Sequence, residues 1–217
     1  MSRRGLSRIG LTRLVVAAAL GFLGGFAILI GLAWRRAGSP GLAGYLSQLG
    51  ATGAASAGLY RLAVLCVAAA AALMALAWWL RSPGLDAAGL LALSAVLFAV
   101  SATVPCAQGC PIPVRDGLTT AANVVHFAAS AGAFGVALGA MGSVGAGYRD
   151  PWLRRVSATT ARVATLLYAV LSTLVLIVGH SVINGVVERL LALVATGWLV
   201  TCALRLGHRR VVGPRQT

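Results

Sequence analysis

The feature that most constrains this chain is a series of long apolar runs that are nearly free of charged residues. A helix crosses the roughly 30 Å of bilayer hydrocarbon with about 20 residues, and lipid leaves only helices or closed barrels as spanning structures. Segments of about this length occur, in chain order, at residues 11–34, 59–80, 85–104, 119–141, 158–180 and 185–206. We therefore predict an all-α membrane protein, a bundle of six transmembrane helices within one domain at residues 11–206.

The composition excludes an ordinary water-soluble fold. Of the 217 residues, 59% are hydrophobic and 10% are charged, which leaves too little polar surface to face water. The first run is predicted to remain in the protein rather than to be cleaved as a signal peptide, because it is long, lacks a following A-x-A site and ends in Trp34-Arg35-Arg36. Basic residues are all arginine, and this bias, with the abundance of Ala, Val, Gly and Leu, indicates a bacterial source.

The arginines predict which way the chain faces. The net charge is +14, but the arginines form short clusters at the ends of the runs, which indicates anchoring to anionic headgroups rather than nucleic-acid binding. With a cytoplasmic N-terminus, most of them lie inside, and the outer side holds only Arg35, Arg36, Arg61, Arg115 and Arg189. The positive-inside rule therefore predicts that the basic N-terminus (residues 1–10) and the basic tail (residues 207–217) lie in the cytoplasm. The membrane that the protein spans is predicted to be the inner cell membrane.

A stiff cysteine-containing loop, VPCAQGCPIPVRDG, follows the third span. The predicted orientation makes residues 105–118 extracytoplasmic, where disulfides persist. Cys106 and Cys110 are predicted to be bridged, since a tight turn can bring their Cα atoms within the roughly 4.4–6.8 Å that a disulfide needs. The alternative, a pair of zinc ligands, is disfavoured because the loop contains no histidine. No cofactor is predicted.

Ionisable residues near the outer ends of the spans are the candidate site: Arg61, His126, His180, Glu188 and Arg189. Such groups are costly in a membrane and normally face the bundle interior or a wet cavity. They predict a polar pocket that opens outward, covered by the cysteine loop and by residues 44–58. The simplest role is mutual stabilisation of the helices, and the functional alternative is a site for a lipid, a small molecule or a partner, with the two arginines facing an anion.

Two further functions are weaker alternatives. His126, His180 and Glu188 could serve as the metal ligands of a membrane-embedded hydrolase, assisted by Asp116 or Ser101, but no H-x3-H pair strengthens this set. A small transporter is disfavoured because no path of charged residues crosses the bilayer. The sequence thus favours a non-catalytic membrane component that contacts the bilayer and has a lipid, small-molecule or membrane-protein partner, or a second copy of itself.

Three motifs occur in a recognisable order. LSQLGATG precedes the second span, CAQGCPIP precedes a span that opens with Asn123-Val124-Val125-His126, and GVVERLLALVATGWL begins the sixth span. In order and spacing they resemble the domain of unknown function 998 family, six-span membrane proteins of bacteria and archaea, over residues 10–207. The resemblance implies the six-span architecture, but it implies no activity and supplies no catalytic residues.

Overall fold

The computed structural model describes residues 8–35, 44–81, 86–112 and 120–208. These residues form one short 3-10 helix, Leu46–Gly50, and six α-helices: α1 (Arg8–Arg35), α2 (Ala57–Arg81), α3 (Asp86–Thr103), α4 (Ala121–Gly147), α5 (Pro151–Ile177) and α6 (Val182–His208). All six α-helices are long and apolar enough to cross a membrane, and the described residues contain no strand. The predicted all-α, six-helix membrane fold is confirmed.

Several predicted features lie outside the described residues. They are the N-terminal residues 1–7, Arg36, Arg115, Asp116 and the tail from residue 209 onward. All five residues of the candidate site and both loop cysteines lie within the described residues.

The helices pack in chain order and close into a ring. Each helix contacts the next one, and α1 also packs against α6, as expected when short connections join antiparallel neighbours. The largest buried side chains include Trp78 of α2 and Trp198 of α6, whose ring centroids are 5.5 Å apart. We call the end of the ring that carries the loop at residues 104–112, the segment at residues 44–56 and the α5–α6 turn the cysteine-loop end.

Small residues allow α1 and α2 to approach closely. A Cβ atom built on Gly25 would lie 3.0 Å from the carbonyl oxygen of Ala63, and one built on Gly21 would lie 3.5 Å from the Cβ of Ala70. Without a hydrophobic force between helices in lipid, such close backbone contact is a main source of helix association. Gly21 and Gly25 of α1 therefore serve packing within the ring.

The start of α5 differs from the sequence prediction. The helix begins at Pro151 rather than near residue 158, because Asp150 caps it: its Oδ1 accepts the Trp152 N–H at 3.1 Å. The other carboxylate oxygen accepts a hydrogen bond from Arg205 Nε of α6 at 3.0 Å. One buried aspartate thus fixes the first turn of α5 and joins it to the last turns of α6 at the end opposite the cysteine loop.

The break between α5 and α6 is well defined. Gly179 has a φ of +74°, a left-handed conformation that glycine adopts without steric cost. Its carbonyl oxygen accepts hydrogen bonds from the Tyr45 hydroxyl, at 2.9 Å, and from the Asn184 side-chain amide. The turn is therefore held from both sides, and the two apolar runs are separate helices.

Candidate functional site

Three connecting segments meet at the cysteine-loop end. Both the backbone N–H and the hydroxyl of Thr52 donate to the carbonyl oxygen of Cys106, at 2.9 and 3.0 Å. The Gln48 side-chain amide donates to the Gly109 carbonyl at 3.1 Å and lies 3.0 Å from His180 Nδ1. The segment at residues 44–56, which contains the 3-10 helix and which we call the 3-10 segment, therefore joins the cysteine loop to the α5–α6 turn.

The predicted disulfide is present. Cys106 and Cys110 are bonded, with their Cα atoms 5.1 Å apart. The tight turn uses two left-handed residues, Gly109 at φ +83° and Cys110 at φ +48°. Asn123 of α4 fixes the loop from the other side, because its Oδ1 accepts the Ala107 N–H at 2.8 Å. The loop is thus anchored both to α4 and to the 3-10 segment.

His126 lies beneath this loop and is 5% exposed. Its Nδ1 is 2.9 Å from the Ser101 carbonyl oxygen and 2.8 Å from that of Val104. Its Nε2 is buried without a hydrogen-bond partner among the described residues. A ring nitrogen of His126 and the sulfur atoms of Cys106 and Cys110 all lie within 4.8 Å of one another.

Glu188 and Arg189 hold the segment that precedes α2. Glu188 Oε2 accepts the Leu46 N–H at 2.8 Å. Arg189 donates from one terminal nitrogen to the carbonyl oxygens of Gly44, at 3.2 Å, and Gly185, at 2.6 Å. The acid accepts from a backbone donor of this segment, and the base donates to one carbonyl of the segment and to one of α6, so both side chains tie the segment to α6 at the cysteine-loop end.

The other two predicted site residues occupy different surroundings. His180 is exposed, and its ring packs against Tyr45 with centroids 4.8 Å apart. Arg61 is half-buried on α2, and its Nε has no hydrogen-bond partner in the described part of the chain. Among the described residues, the one His, Cys, Asp and Glu group with metal-ligand spacing is Cys106, Cys110 and His126; His126, His180 and Glu188 do not form such a group.

A cavity of about 770 Å³ lies inside the ring and extends to the cysteine-loop end. Its walls are mainly aliphatic and aromatic, with Phe22 and Phe26 of α1 and Phe134 of α4 among them. Along α4 it reaches from Asn123 to Ala137, which corresponds to about 20 Å at a rise of about 1.5 Å per residue. His126, Glu188 and Arg189 line it, whereas Arg61 and His180 are not lining residues.

Sequence reasoning missed Ser130 and Tyr168, which line the same cavity as Ser101. The Ser101 and Ser130 hydroxyls are 2.6 Å apart, and the Tyr168 hydroxyl donates to the Ala131 carbonyl at 3.0 Å. A signal for Ser130 was available, because residues four apart share one face of a helix, and Ser130 follows His126 by four. The hydroxyl of Tyr168 gave no such signal, since it comes from a helix with no other predicted site residue near that level.

The three motifs noted in the sequence come together in this region. The LSQLGATG stretch supplies Gln48 and Thr52, CAQGCPIP supplies the disulfide, and GVVERLLALVATGWL supplies Glu188 and Arg189. No curated protein and no solved structure matches this chain. A family model described as "Protein of unknown function (DUF998)" matches residues 15–205. Because this match covers most of the chain, the protein belongs to the domain of unknown function 998 family, DUF998.

Proposed function

We propose that this protein binds a membrane lipid, with a hydrocarbon chain in the cavity and the polar headgroup at the cysteine-loop end. The observation that carries the proposal is a cavity with apolar walls and polar groups toward one end. Its volume of about 770 Å³ falls within the roughly 300–1,000 Å³ of ordinary ligand sites. Its length of about 20 Å along α4 is comparable with the roughly 30 Å of bilayer hydrocarbon.

The distribution of polar groups favours an amphiphile over other ligands. A polar solute would lose its hydration against the apolar walls, which is unfavourable without compensating hydrogen bonds. A purely apolar ligand would place hydrocarbon against the polar side chains that line one end of the cavity, among them His126 and Glu188. A lipid matches both parts, because its chain replaces empty apolar space and its headgroup offers donors and acceptors.

The arginine distribution supports a location for the headgroup. The end that carries most arginines is expected to face the cytoplasm, so the cysteine-loop end is expected to face outward. The bound lipid would then have its headgroup level with the outer leaflet. We expect the lipid to enter beside α5. The share of the span that is buried inside the bundle is 11% for α5 and 33% for α4, so most of α5 faces the surrounding membrane.

The proposal is tested by filling the cavity. Ala137 is 6% exposed and lines the cavity, so Ala137→Phe places a ring inside it. Ala128 lies on the exposed face of the same helix, so Ala128→Phe adds the same ring outside. The protein is purified in mild detergent, and co-purifying lipid is quantified by mass spectrometry. A fluorescently labelled phospholipid supplied in vesicles then measures rebinding.

We expect near-stoichiometric lipid on the wild type and on Ala128→Phe, and at least about a fivefold loss on Ala137→Phe, because the added ring occupies the ligand's volume. Thermal unfolding in the same detergent checks that the variants remain folded. Lipid binding by Ala137→Phe equal to that of Ala128→Phe, with both folded, would contradict the proposal, as would a wild type that carries no lipid and takes up none.

A further inference from the structure

The side chain of His126 is oriented as metal-binding histidines are. Both groups near its Nδ1 are carbonyl oxygens, which only accept, so Nδ1 carries the hydrogen. In the neutral ring Nε2 then carries a lone pair. Histidine ligands typically donate their other N–H to a carbonyl or carboxylate, which fixes the tautomer and the ring orientation. The Ser101 and Val104 carbonyls do this for His126.

In the disulfide form, the second ring nitrogen of His126, Nε2, is not satisfied by any group that the structure describes. Nε2 is buried and unpartnered among the described residues, and a buried acceptor left unsatisfied is unfavourable. The sulfur atoms of Cys106 and Cys110 and a ring nitrogen of His126 lie within 4.8 Å of one another, and the two cysteines are 2% and 7% exposed. A disulfide sulfur offers no hydrogen to this nitrogen. A state in which both sulfurs and Nε2 bind one cation would satisfy it.

We propose that Cys106, Cys110 and His126 form a zinc site when the disulfide is reduced. A thiol or phosphine reductant supplies two electrons, the S–S bond breaks, and each sulfur takes up a proton. Binding of Zn²⁺ then releases both thiol protons to solvent, and two thiolate sulfurs and Nε2 become ligands. This donor set is one that Zn²⁺ uses in proteins. Zn²⁺ and two thiolates also sum to zero charge, which suits a buried site because an uncompensated charge there would be costly.

The fold already holds the three proposed zinc ligands close together. The Cα atoms of the cysteines are 5.1 Å apart, so the sulfurs can separate to ligand spacing by side-chain rotation within the same turn. Asn123 holds the loop against α4 through the Ala107 N–H, one turn before His126 on the same helix. All three ligands line the cavity. The fourth position of a tetrahedral ion has no His, Cys, Asp or Glu ligand among the described residues and is available to water.

The test measures zinc on the purified full-length chain in detergent, in oxidised form and after reduction by a phosphine. The phosphine takes oxygen from water to become its oxide as the disulfide becomes two thiols. We expect one Zn²⁺ per reduced chain and none per oxidised chain, and Co²⁺ substitution should give thiolate-to-cobalt charge-transfer absorption. Alkylation and mass measurement report the state of the thiols independently.

Matched variants identify the ligands. His126→Gln and Cys110→Ser should weaken Zn²⁺ binding by at least about tenfold, since even changes to groups behind the ligands cost that much. His180→Gln removes an exposed histidine at the same end, and Cys66→Ser with Cys202→Ser removes the free thiols within α2 and α6. These controls should bind as the wild type does.

Three results would each overturn the proposal: a reduced wild type that binds no stoichiometric Zn²⁺, a folded His126→Gln variant that binds zinc as the wild type does, or loss of zinc in the Cys66 and Cys202 control. Cys110→Ser keeps the test decisive if His126→Gln does not fold. The site does not depend on lipid binding, and Ala137→Phe, which should lose lipid, should retain zinc.

Discussion

Glu188 acts as a structural acceptor, whatever else it binds. The first N–H groups of a helical segment have no partner within the segment, and Glu188 satisfies the first one of the 3-10 helix through the 2.8 Å hydrogen bond from Leu46. A charged acceptor makes a stronger hydrogen bond than a neutral one. The contact joins residues far apart in the chain and holds the 3-10 helix over the cavity.

This role predicts a difference between two substitutions. Glu188→Ala should lower the free energy of unfolding by about 1.5–3 kcal/mol, the usual range for a hydrogen bond to a charged group. Glu188→Gln keeps an oxygen of similar reach and should lose less than half as much. Denaturant unfolding in mixed micelles measures both. Equal losses in the two variants would mean that the charge, rather than the hydrogen bond to Leu46, provides the stabilisation.

For single residues, the sequence predicts the depth of a side chain in the membrane but not the group to which it hydrogen-bonds. The depth of His126 and Glu188 follows from counting along an apolar run. The cysteine loop contains no histidine, which disfavoured a metal, but the histidine that lies beside the cysteines comes from the next helix. Arg189 was expected to face an anion, but it donates to the carbonyls of Gly44 and Gly185. Such pairings are set by tertiary contacts, which spacing in one chain does not encode.

Among the elements, α5 depends on its cap. Asp150 is 2% exposed, caps the first turn and accepts a hydrogen bond from Arg205. The Arg205 guanidinium in turn lies 5.2 Å from the centroid of the Trp152 ring, within the range of a cation–π contact. The end of the bundle opposite the cysteine loop is therefore held by one linked set of side chains from α5 and α6.

Removal of this cap should destabilise the bundle. Asp150→Ala should lower the free energy of unfolding by about 1–3 kcal/mol, since both an N-cap and a partly buried ion pair are lost. Asp86→Ala is the matched control: Asp86 is exposed in the first turn of α3, where its effect is limited to the helix dipole at about 0.3–1 kcal/mol. Thermal unfolding in detergent compares the two. A loss no larger for Asp150→Ala than for Asp86→Ala would contradict the linking role.

The boundary of α5 was nonetheless readable. Hydropathy placed its start near residue 158, because Arg154, Arg155 and Ser157 lower the apolar content of the first two turns. An aspartate followed by proline is a typical helix start, with proline at the first helical position. The pair Asp150-Pro151 indicates the correct start of α5, but the low hydropathy of the residues that follow it hides this signal.

For the whole molecule, the number of helices was predictable but the ring was not. In a water-soluble protein, an apolar stripe along a helix marks the face that is buried. Here lipid and core are both apolar, so the periodicity does not say which face points inward, and the contact between α1 and α6 that closes the ring has no signature in the chain. The cavity is a consequence of that closure and was therefore predicted only as a polar pocket, without its long apolar part.

The orientation of the ring in the membrane remains the prediction of the arginine distribution, and it can be tested directly. The native cysteines of the loop are unsuitable probes because they are buried and bonded to each other. Ala55 is exposed at the cysteine-loop end, and Arg149 is exposed at the opposite end. Ala55→Cys and Arg149→Cys are therefore each placed in a chain whose Cys66 and Cys202 are serine.

A membrane-impermeant maleimide added to intact cells should label Ala55→Cys and leave Arg149→Cys unlabelled until the cells are opened, because guanidinium-rich ends are retained in the cytoplasm. The intact disulfide keeps Cys106 and Cys110 silent in both variants. The reverse pattern would place the cysteine-loop end in the cytoplasm. The cavity and its apolar walls would be unchanged, but the headgroup of the proposed lipid would then lie in the inner leaflet, and the cysteine pair would face a compartment that keeps thiols reduced and available to zinc.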